Sequence, residues 1–561
     1  MLAEENILKS YLSLSILILA STLFSDTISG KVVDELNKSI RGVNVIYKNT
    51  GTVTDSDGIF FIEANIGDEI NIHHIGYKFK TIIINSNFIE VVLISTPIKG
   101  ETIFVESGFK KTSLIKAPSS ISIIDQHKIK NKGGDHFDSF SNSISNLNWA
   151  SGTSRPKYFQ IRGIGENELF SGQGASNFSV GFTIDNIDFT GIGMPANLFD
   201  MRQIQVLKGP QSTIYGSNAM AGLISIESND PVPYFEGNGL FSIGSDLIQY
   251  GVVLNTPIDK NFDYRMSILY SLGTGFRENT YHDDPYTNRR QELFYKSKIK
   301  WYPTSNFSLT LSAIVSDQNN GYDAWAPDNN TSLESYSDNP GEDSQKTAAV
   351  SIKTFMRINN SFDVVYLSSF SNHNMKYSYD SDWGNSDYWE GNEWYNYFDE
   401  SIRTRQSLTN EVRFISNNTP SITIGFYSKL LRENDDATAF IFDMIDQNTL
   451  DAEFDHQNTA AYTEIGFSLS DKIGLTLNTR LENSKINYSS DIAYNTGYDT
   501  SYYPVTEYKE ISYMISDDLI SFKGALSYQI SLRKLIFTSI SKGYKSGGIN
   551  QSPFISDDDR K

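Results

Sequence analysis

Cysteine is absent from the 561 residues, so neither a disulfide framework nor a thiolate metal site can form. Histidine is scarce, at seven, and two of the seven, His73 and His74, are adjacent. Neighbours on a strand point to opposite faces, so regular β geometry does not let both hold one metal ion. Positive charge is in deficit. Lys and Arg number 47 against 67 Asp and Glu, a formal net charge of −20, which argues against any sequence-independent grip on nucleic acid. Mean hydropathy is only −0.35, which argues against a bundle of membrane helices. It leaves room for a membrane β-barrel, whose strands turn only alternate residues to lipid. No phosphate-cradling glycine loop followed by Lys-Ser or Lys-Thr occurs, and no His/Asp/Glu arrangement suggests a hydrolytic site. The chain therefore reads as a non-enzyme with no cofactor and no metal site.

What is present is aromatic and turn-rich. Tyr (32) and Phe (34) dominate an aromatic content of 13%, which suits strands and interfacial girdles. The length implies two or three domains. Tyr11–Phe24, preceded by Lys9, is an apolar run too short to span as a helix and fits a secretory signal, with small residues for cleavage near Ala20–Ser25. Residues 1–25 are thus expected to be a signal peptide. Residues 26–95 alternate strand and turn, with Asp55-Ser56-Asp57-Gly58 as a tight turn, and predict a small sandwich of about seven strands. Asp55 and Asp57 lack the closing Glu of a calcium loop, so a structural turn is expected. Thr54–Phe60 and Ile75–Tyr77 resemble the TD-x-DG-x-F turn and IGY strand of the carboxypeptidase-regulatory-like domain. The resemblance implies an accessory module without peptidase activity.

Residues 96–116 form a linker punctuated by Pro97 and Gly100, with one β-prone run at Thr102–Val105. On chemistry alone it is either an ordinary linker or a segment open to β-strand addition by a partner. From Gln160 to Pro231, short β-branched runs are separated by Gly, Asn, Asp and Pro, which predicts compact strands and tight turns. This stretch contains QIRG (Gln160–Gly163), VGFTID (Val180–Asp185), QVLKGPQSTIY (Gln205–Tyr215) and GSNAMAGLISI (Gly216–Ile226).

In that order and spacing these motifs resemble the plug domain of TonB-dependent outer-membrane receptors over residues 117–231. With them, Glu101, Thr102, Ile103, Phe104 and Val105 resemble the TonB box, the segment with which periplasmic TonB pairs. The resemblance implies that Arg162, Gly163, Lys208, Gly209, Pro210, Tyr215 and Gly216 belong to the plug motif. The family more usually has Arg where Lys208 stands, so the bidentate fork is lost there while the charge is kept. Arg162 and Lys208 are expected either to pair with lumen-facing carboxylates or to be solvated.

After Pro233 the pattern alternates. Ile473, Leu475, Leu477 and Leu481 fall on one face, and Thr476, Asn478, Arg480 and Glu482 on the other. Strands of about ten residues match a tilted bilayer crossing. Short turns at 259–261, 303–306, 359–361, 417–420, 470–472 and 531–534 alternate with long connections at 277–290, 317–345, 373–401, 433–457 and 483–517. That is the asymmetry of an outer-membrane barrel, with short turns periplasmic and long loops extracellular. Trp301 and Tyr302 fit an aromatic girdle. The predicted fold class is mostly all-β: an N-terminal sandwich, an α/β plug, and a large antiparallel transmembrane β-barrel (232–561) of the 22-stranded type. About thirteen strands are countable up to Ser541, an odd number, so about nine more are expected beyond Lys561.

The long loops carry Tyr322, Trp325, Trp383, Tyr388, Trp389 and Trp394 among carboxylates. Such rings can face a ligand, fold the loop on itself, or touch lipopolysaccharide. The expected function is TonB-dependent import across the outer membrane of a Gram-negative-type cell, with the N-terminal domain and plug on the periplasmic side. A ferric siderophore is the leading cargo. Cobalamin, haem or oligosaccharide uptake, or a non-transporting surface adhesin, are the alternatives. Expected partners are TonB, outer-membrane lipid and a small-molecule ligand.

Overall fold

A computed structural model describes residues 27–48, 50–74, 76–95, 103–105, 108–109, 112–132, 137–150, 157–166, 178–193, 197–391, 396–438, 449–498, 500 and 504–549. The expected signal peptide, Glu101, Thr102, Trp394 and the last residues of the chain lie outside this set. No described helix is long and apolar enough to cross a membrane. The chain divides into two compact units, residues 1–102 and 103–561.

The first unit is a seven-strand sandwich. One sheet orders Ile59–Glu63, Thr27–Asp34 and Phe88–Leu93; the other orders Thr50–Val53, Asn44–Tyr47, Glu69–His73 and Lys80–Ile83. Alternation drives it. Ile28, Val32, Phe60, Ile62, Ile70, Ile72, Ile89 and Val91 face inward and form one core. The turn before Ile59 is closed by the Asp55 carboxylate, which accepts from the backbone of Asp57 (2.9 Å) and Ile59 (2.8 Å). Gly58 supplies the positive φ.

The second unit opens with a small mixed domain. Its five-stranded sheet orders Ser120–Asp125, Met201–Lys208, Gly222–Ser228, Val180–Ile184 and Ile187–Asp188, beside a three-stranded sheet of Leu147–Ala150, Tyr158–Ile161 and Ile164–Gly165. Met201–Lys208 and Gly222–Ser228 are central and buried on both faces, which is why their apolar residues run together rather than alternate. Two hairpins turn through residue pairs of positive φ, Arg162-Gly163 and Asp185-Asn186, the backbone signature of the type I′ turn that matches strand twist.

Around this domain runs a sheet of thirteen strands, each hydrogen-bonded to its neighbours in sequence order, from Glu236–Ile243 to Lys534–Lys542. Those two strands are the ends of the sheet and are not paired with each other. Burial alternates along much of the inner strands of the sheet; Thr449–Ser468 shows it for fourteen residues before its last third reaches the short-turn edge, whereas the two end strands are exposed on both faces. All six short turns fall where expected.

The long connection expected at 277–290 does so too, between Phe262–Gly273 and Arg290–Thr304, but the other four are shorter than expected. Strands reach 26 residues at Ile473–Tyr498 and 28 at Pro504–Ser531, far beyond the ten or so anticipated. Most of the expected loop 483–517 is therefore ladder, with Asn483 opposite Asp518 and Asn495 opposite Thr506. Hydropathy alternation weakens where both faces of a strand meet water, but backbone pairing does not need it. Polar sequence therefore reads as loop where the structure has ladder.

Candidate functional site

The seat of the inner domain is built from charge. Arg265 forks onto Asp200, Nη2 to Oδ1 at 2.6 Å and Nε to Oδ2 at 2.8 Å, and reaches Glu236 at 3.1 Å. Lys298 bonds Asp185 at 3.0 Å and approaches Asp230 at 3.4 Å, while Lys300 holds Asp230 at 2.7 Å. Lys429 holds Asp188 at 2.6 Å, and Lys545 holds Glu166 at 2.7 Å. Neutral contacts add to these. Arg405 donates to the Thr190 carbonyl (2.9 Å), the Ser351 hydroxyl to the Asp185 carbonyl (2.7 Å), and Lys523 to the Ser119 hydroxyl (2.9 Å). Lys296 also donates to the carbonyl of Phe199.

In the ion pairs between the two, carboxylates sit on the inner domain and cations on the wall. Of the two outcomes open for Arg162 and Lys208, pairing with wall carboxylates is not found: neither forms an ion pair among the described residues. Lys208 donates to the Ser145 hydroxyl at 3.1 Å, and burial, with the nearby Arg162 charge, holds its ammonium below the usual lysine value. Arg162 stands exposed in its turn, with φ 56° and its backbone N–H donated to the Asn146 carbonyl at 2.9 Å. A sequence signal for the true partners exists: Lys296, Lys298 and Lys300 alternate on one face of Arg290–Thr304, three cations pointing away from lipid.

Burial alone would raise the Asp230 carboxyl, but Lys298 and Lys300 outweigh it and hold it well below the carboxylate range. Burial likewise opposes, and Lys429 with Thr190 overcomes it, at Asp188. A carboxyl with a lowered folded pKa contributes its stability fully above its unfolded value of about 3.9 and loses it as pH falls through the folded value. Amide exchange in Met201–Lys208, corrected for intrinsic rate, should therefore stay constant from pH 7 to about 5 and accelerate only below about 4.

Gly209, Pro210 and Gly216 shape the corner after Lys208. Gly209 and Gly216 have φ of 95° and 79°, and a Cβ at Gly216 would come within 2.8 Å of Glu482 Oε2 on the wall. Tyr215, between them, packs in a small cluster with Ile214, Tyr427, Tyr462 and Phe109.

Of the expected docking segment, Ile103, Phe104 and Val105 are described. Phe104–Val105 pairs antiparallel with Thr112–Ser113, Leu114 N–H donates to the Ile103 carbonyl (2.9 Å), and Gln203 donates to the Phe104 carbonyl (3.2 Å). Val105 is fully buried, while Phe104 is half exposed.

At the long-connection side the structure brings five of the six expected aromatics into two adjoining groups. Trp325 stacks on Trp383 (6.0 Å between centroids, 25° between planes) and its indole N–H donates to the Tyr322 hydroxyl (3.2 Å). Tyr322 meets Tyr377 edge-on at 5.0 Å. Tyr388 stacks on Tyr336 at 5.2 Å and meets Trp389 edge-on. The acids shape this surface. Asp382 accepts from the Trp389 indole (3.0 Å) and the Tyr397 backbone (2.8 Å), and Asp323 accepts from the Thr287 and Ser335 hydroxyls, each at 2.6 Å. Burial first, then the Asp382 charge, push the Asp338 carboxyl up. Trp389 is thus spent on folding the loop, whereas Trp325 is 56% exposed. The inner domain reaches this region too, with Lys157 Nζ 5.7 Å from the Tyr377 ring centre.

Comparison with known proteins agrees with this architecture. Residues 113–223 match the TonB-dependent Receptor Plug Domain. The TonB-dependent receptor SusC of Bacteroides thetaiotaomicron is 28% identical over 238 residues, 40% of this chain and 24% of that protein. The ferrioxamine receptor of Yersinia enterocolitica is 28% identical over 130 residues, 23% of this chain and 17% of that protein. The chain thus matches a quarter or less of these relatives' own length. Among solved structures, the ferric yersiniabactin uptake receptor FyuA of Yersinia pestis superposes with a TM-score of 0.64 at 17% identity, covering 78% of this chain and 66% of that one.

Proposed function

We propose that this chain, a member of the TonB-dependent outer-membrane receptor family, imports a scarce nutrient across the outer membrane, with the domain at 117–231 as its gate. TonB engages residues 101–105 from the periplasm, on the side of the short turns, and the long connections face outward. The observation that carries the reading is the seat. Asp185, Asp188, Asp200 and Asp230 are each gripped by a wall cation, while the domain's own sheet is separately hydrogen-bonded. Such a body can shift against its wall by exchanging polar contacts, without unzipping a shared β-ladder. The outward aromatics of the wall meet lipid and lipopolysaccharide.

A ferric siderophore is the first cargo reading, supported by relatives whose names state ferrioxamine and ferric yersiniabactin. A neutral oligosaccharide is the second, favoured by the stacked and exposed rings of Trp325 and Trp383, which suit sugar rings. Deleting Glu101–Val105 in the full-length protein should abolish energy-dependent uptake while leaving ligand affinity within about two-fold. Running the assay with labelled ferric siderophores and oligosaccharides in parallel identifies the cargo. Uptake that survives the deletion overturns the mechanism.

A further inference from the structure

The docking segment is one arm of a small hairpin, and the connection between its arms carries Phe109 into the wall. The Phe109 ring lies parallel to Tyr462, with centroids 4.2 Å apart and planes 7° apart. The Arg413 guanidinium stands 5.4 Å from the Phe109 ring centre and is itself fixed by Glu411 at 2.8 Å, the carboxylate that also takes the Tyr462 hydroxyl. Behind Tyr462, the Arg480 guanidinium lies 5.7 Å from that ring and 4.9 Å from Tyr427. Only 4% of Phe109 is exposed. The approach is tight as well as deep, since a Cβ on the preceding Gly108 would lie 2.9 Å from Glu464 Oε2.

The same ring touches the gate. Phe109 shares its cluster with Ile214 and Tyr215, which lie in the short helix Ser212–Tyr215 after Lys208-Gly209-Pro210. By contrast, the pairing of Phe104–Val105 with Thr112–Ser113 covers two residues on each side. A ladder that short is not stable in water without a packed side chain to hold it. Phe109, seated in the wall pocket, supplies that side chain.

We propose that Phe109 is the positioning residue that keeps the docking segment folded: seated between Tyr462 and Arg413 of the wall and Ile214 of the gate, it must leave before residues 103–105 can be drawn away. The proposal rests on the reading of 101–105 as the docking segment only for its functional meaning, since the hold itself is measured without TonB. These 561 residues hold no cysteine, so Val105→Cys adds one thiol to them at a fully buried position, and labelling is read on the peptide that contains it. In outer-membrane fractions, its maleimide labelling should run at least about ten-fold faster when Phe109→Ala is added. Phe109→Tyr, which keeps the ring, should stay within about two-fold of the Val105→Cys parent. If Phe109→Ala does not reach the membrane, Phe109→Leu takes its place with acceleration again expected. Labelling no faster in the ring-less variant than in the parent overturns the proposal. Faster labelling, together with uptake that survives deletion of Glu101–Val105, keeps the hold and overturns the docking assignment instead.

Discussion

Replacing Arg265 with alanine should loosen the gate more than any other single change in its seat. The Arg265 and Asp200 side chains are only 7% and 8% exposed, and Asp200 receives two charge-assisted hydrogen bonds from the one guanidinium. Removing the cation leaves a carboxylate out of water with Asn229 as its remaining side-chain partner, at 2.7 Å. Breaking a buried pair in this way costs about 3–5 kcal/mol, most of it the desolvation of the charge left behind. Amide exchange across the neighbouring strand Met201–Lys208 should then accelerate by roughly two to three orders of magnitude. The double variant Arg265→Met with Asp200→Asn removes both charges and keeps a hydrogen bond toward Asn229. It should recover most of the loss. If it behaves like Arg265→Ala, lost packing rather than an orphaned charge is the cause.

The second large effect is expected at Gly222. It stands in the middle of the gate's sheet, opposite Lys208 on one side and Val180 on the other. A Cβ there would lie 2.4 Å from the Leu207 carbonyl oxygen and 2.7 Å from Ile161 Cδ1. A side-chain end could move aside, but the carbonyl belongs to a paired strand and cannot. Gly222→Ala should cost about 3 kcal/mol or more. The temperature at which trypsin first cuts within the gate should fall by roughly 10 °C or more. Gly163→Ala is the contrasting case. Its φ is 79°, but a Cβ there meets nothing within 4 Å, so only the backbone penalty of about 1–2 kcal/mol applies. Gly222 also has a positive φ, 157°, so the difference between the two falls measures the close approach of strands, and equal falls would show that backbone strain alone sets the effect.

The family resemblance of the gate was legible because its turns demand particular residues. Arg162-Gly163 and Asp185-Asn186 take positive φ, and few sequences other than glycine- and Asx-rich ones accept that. The aromatic surface was half legible. That Trp325 and Trp383 would stack was not, because nothing local brings residues 58 positions apart together. That Trp389 serves Asp382 was hidden for the same reason. The role of Phe109 is not legible in the sequence. A single aromatic in a linker carries no periodic signal, and its meaning comes from Tyr462, more than 350 residues away.

The sequence by itself determined the class of the molecule: the alternation of the wall, its six short turns and the glycine-punctuated gate are local consequences of strand geometry and turn stereochemistry. Only the tertiary structure decided where strands end and which charges meet. Strand ends escaped because a ladder outside an apolar layer is held by backbone bonds alone, which any residue but proline can make. Ion pairs escaped because a charge on a strand declares its face but not its partner. Lys298 could be placed inside the wall from its alternation, but its bond to Asp185 depended on how the gate is turned within it.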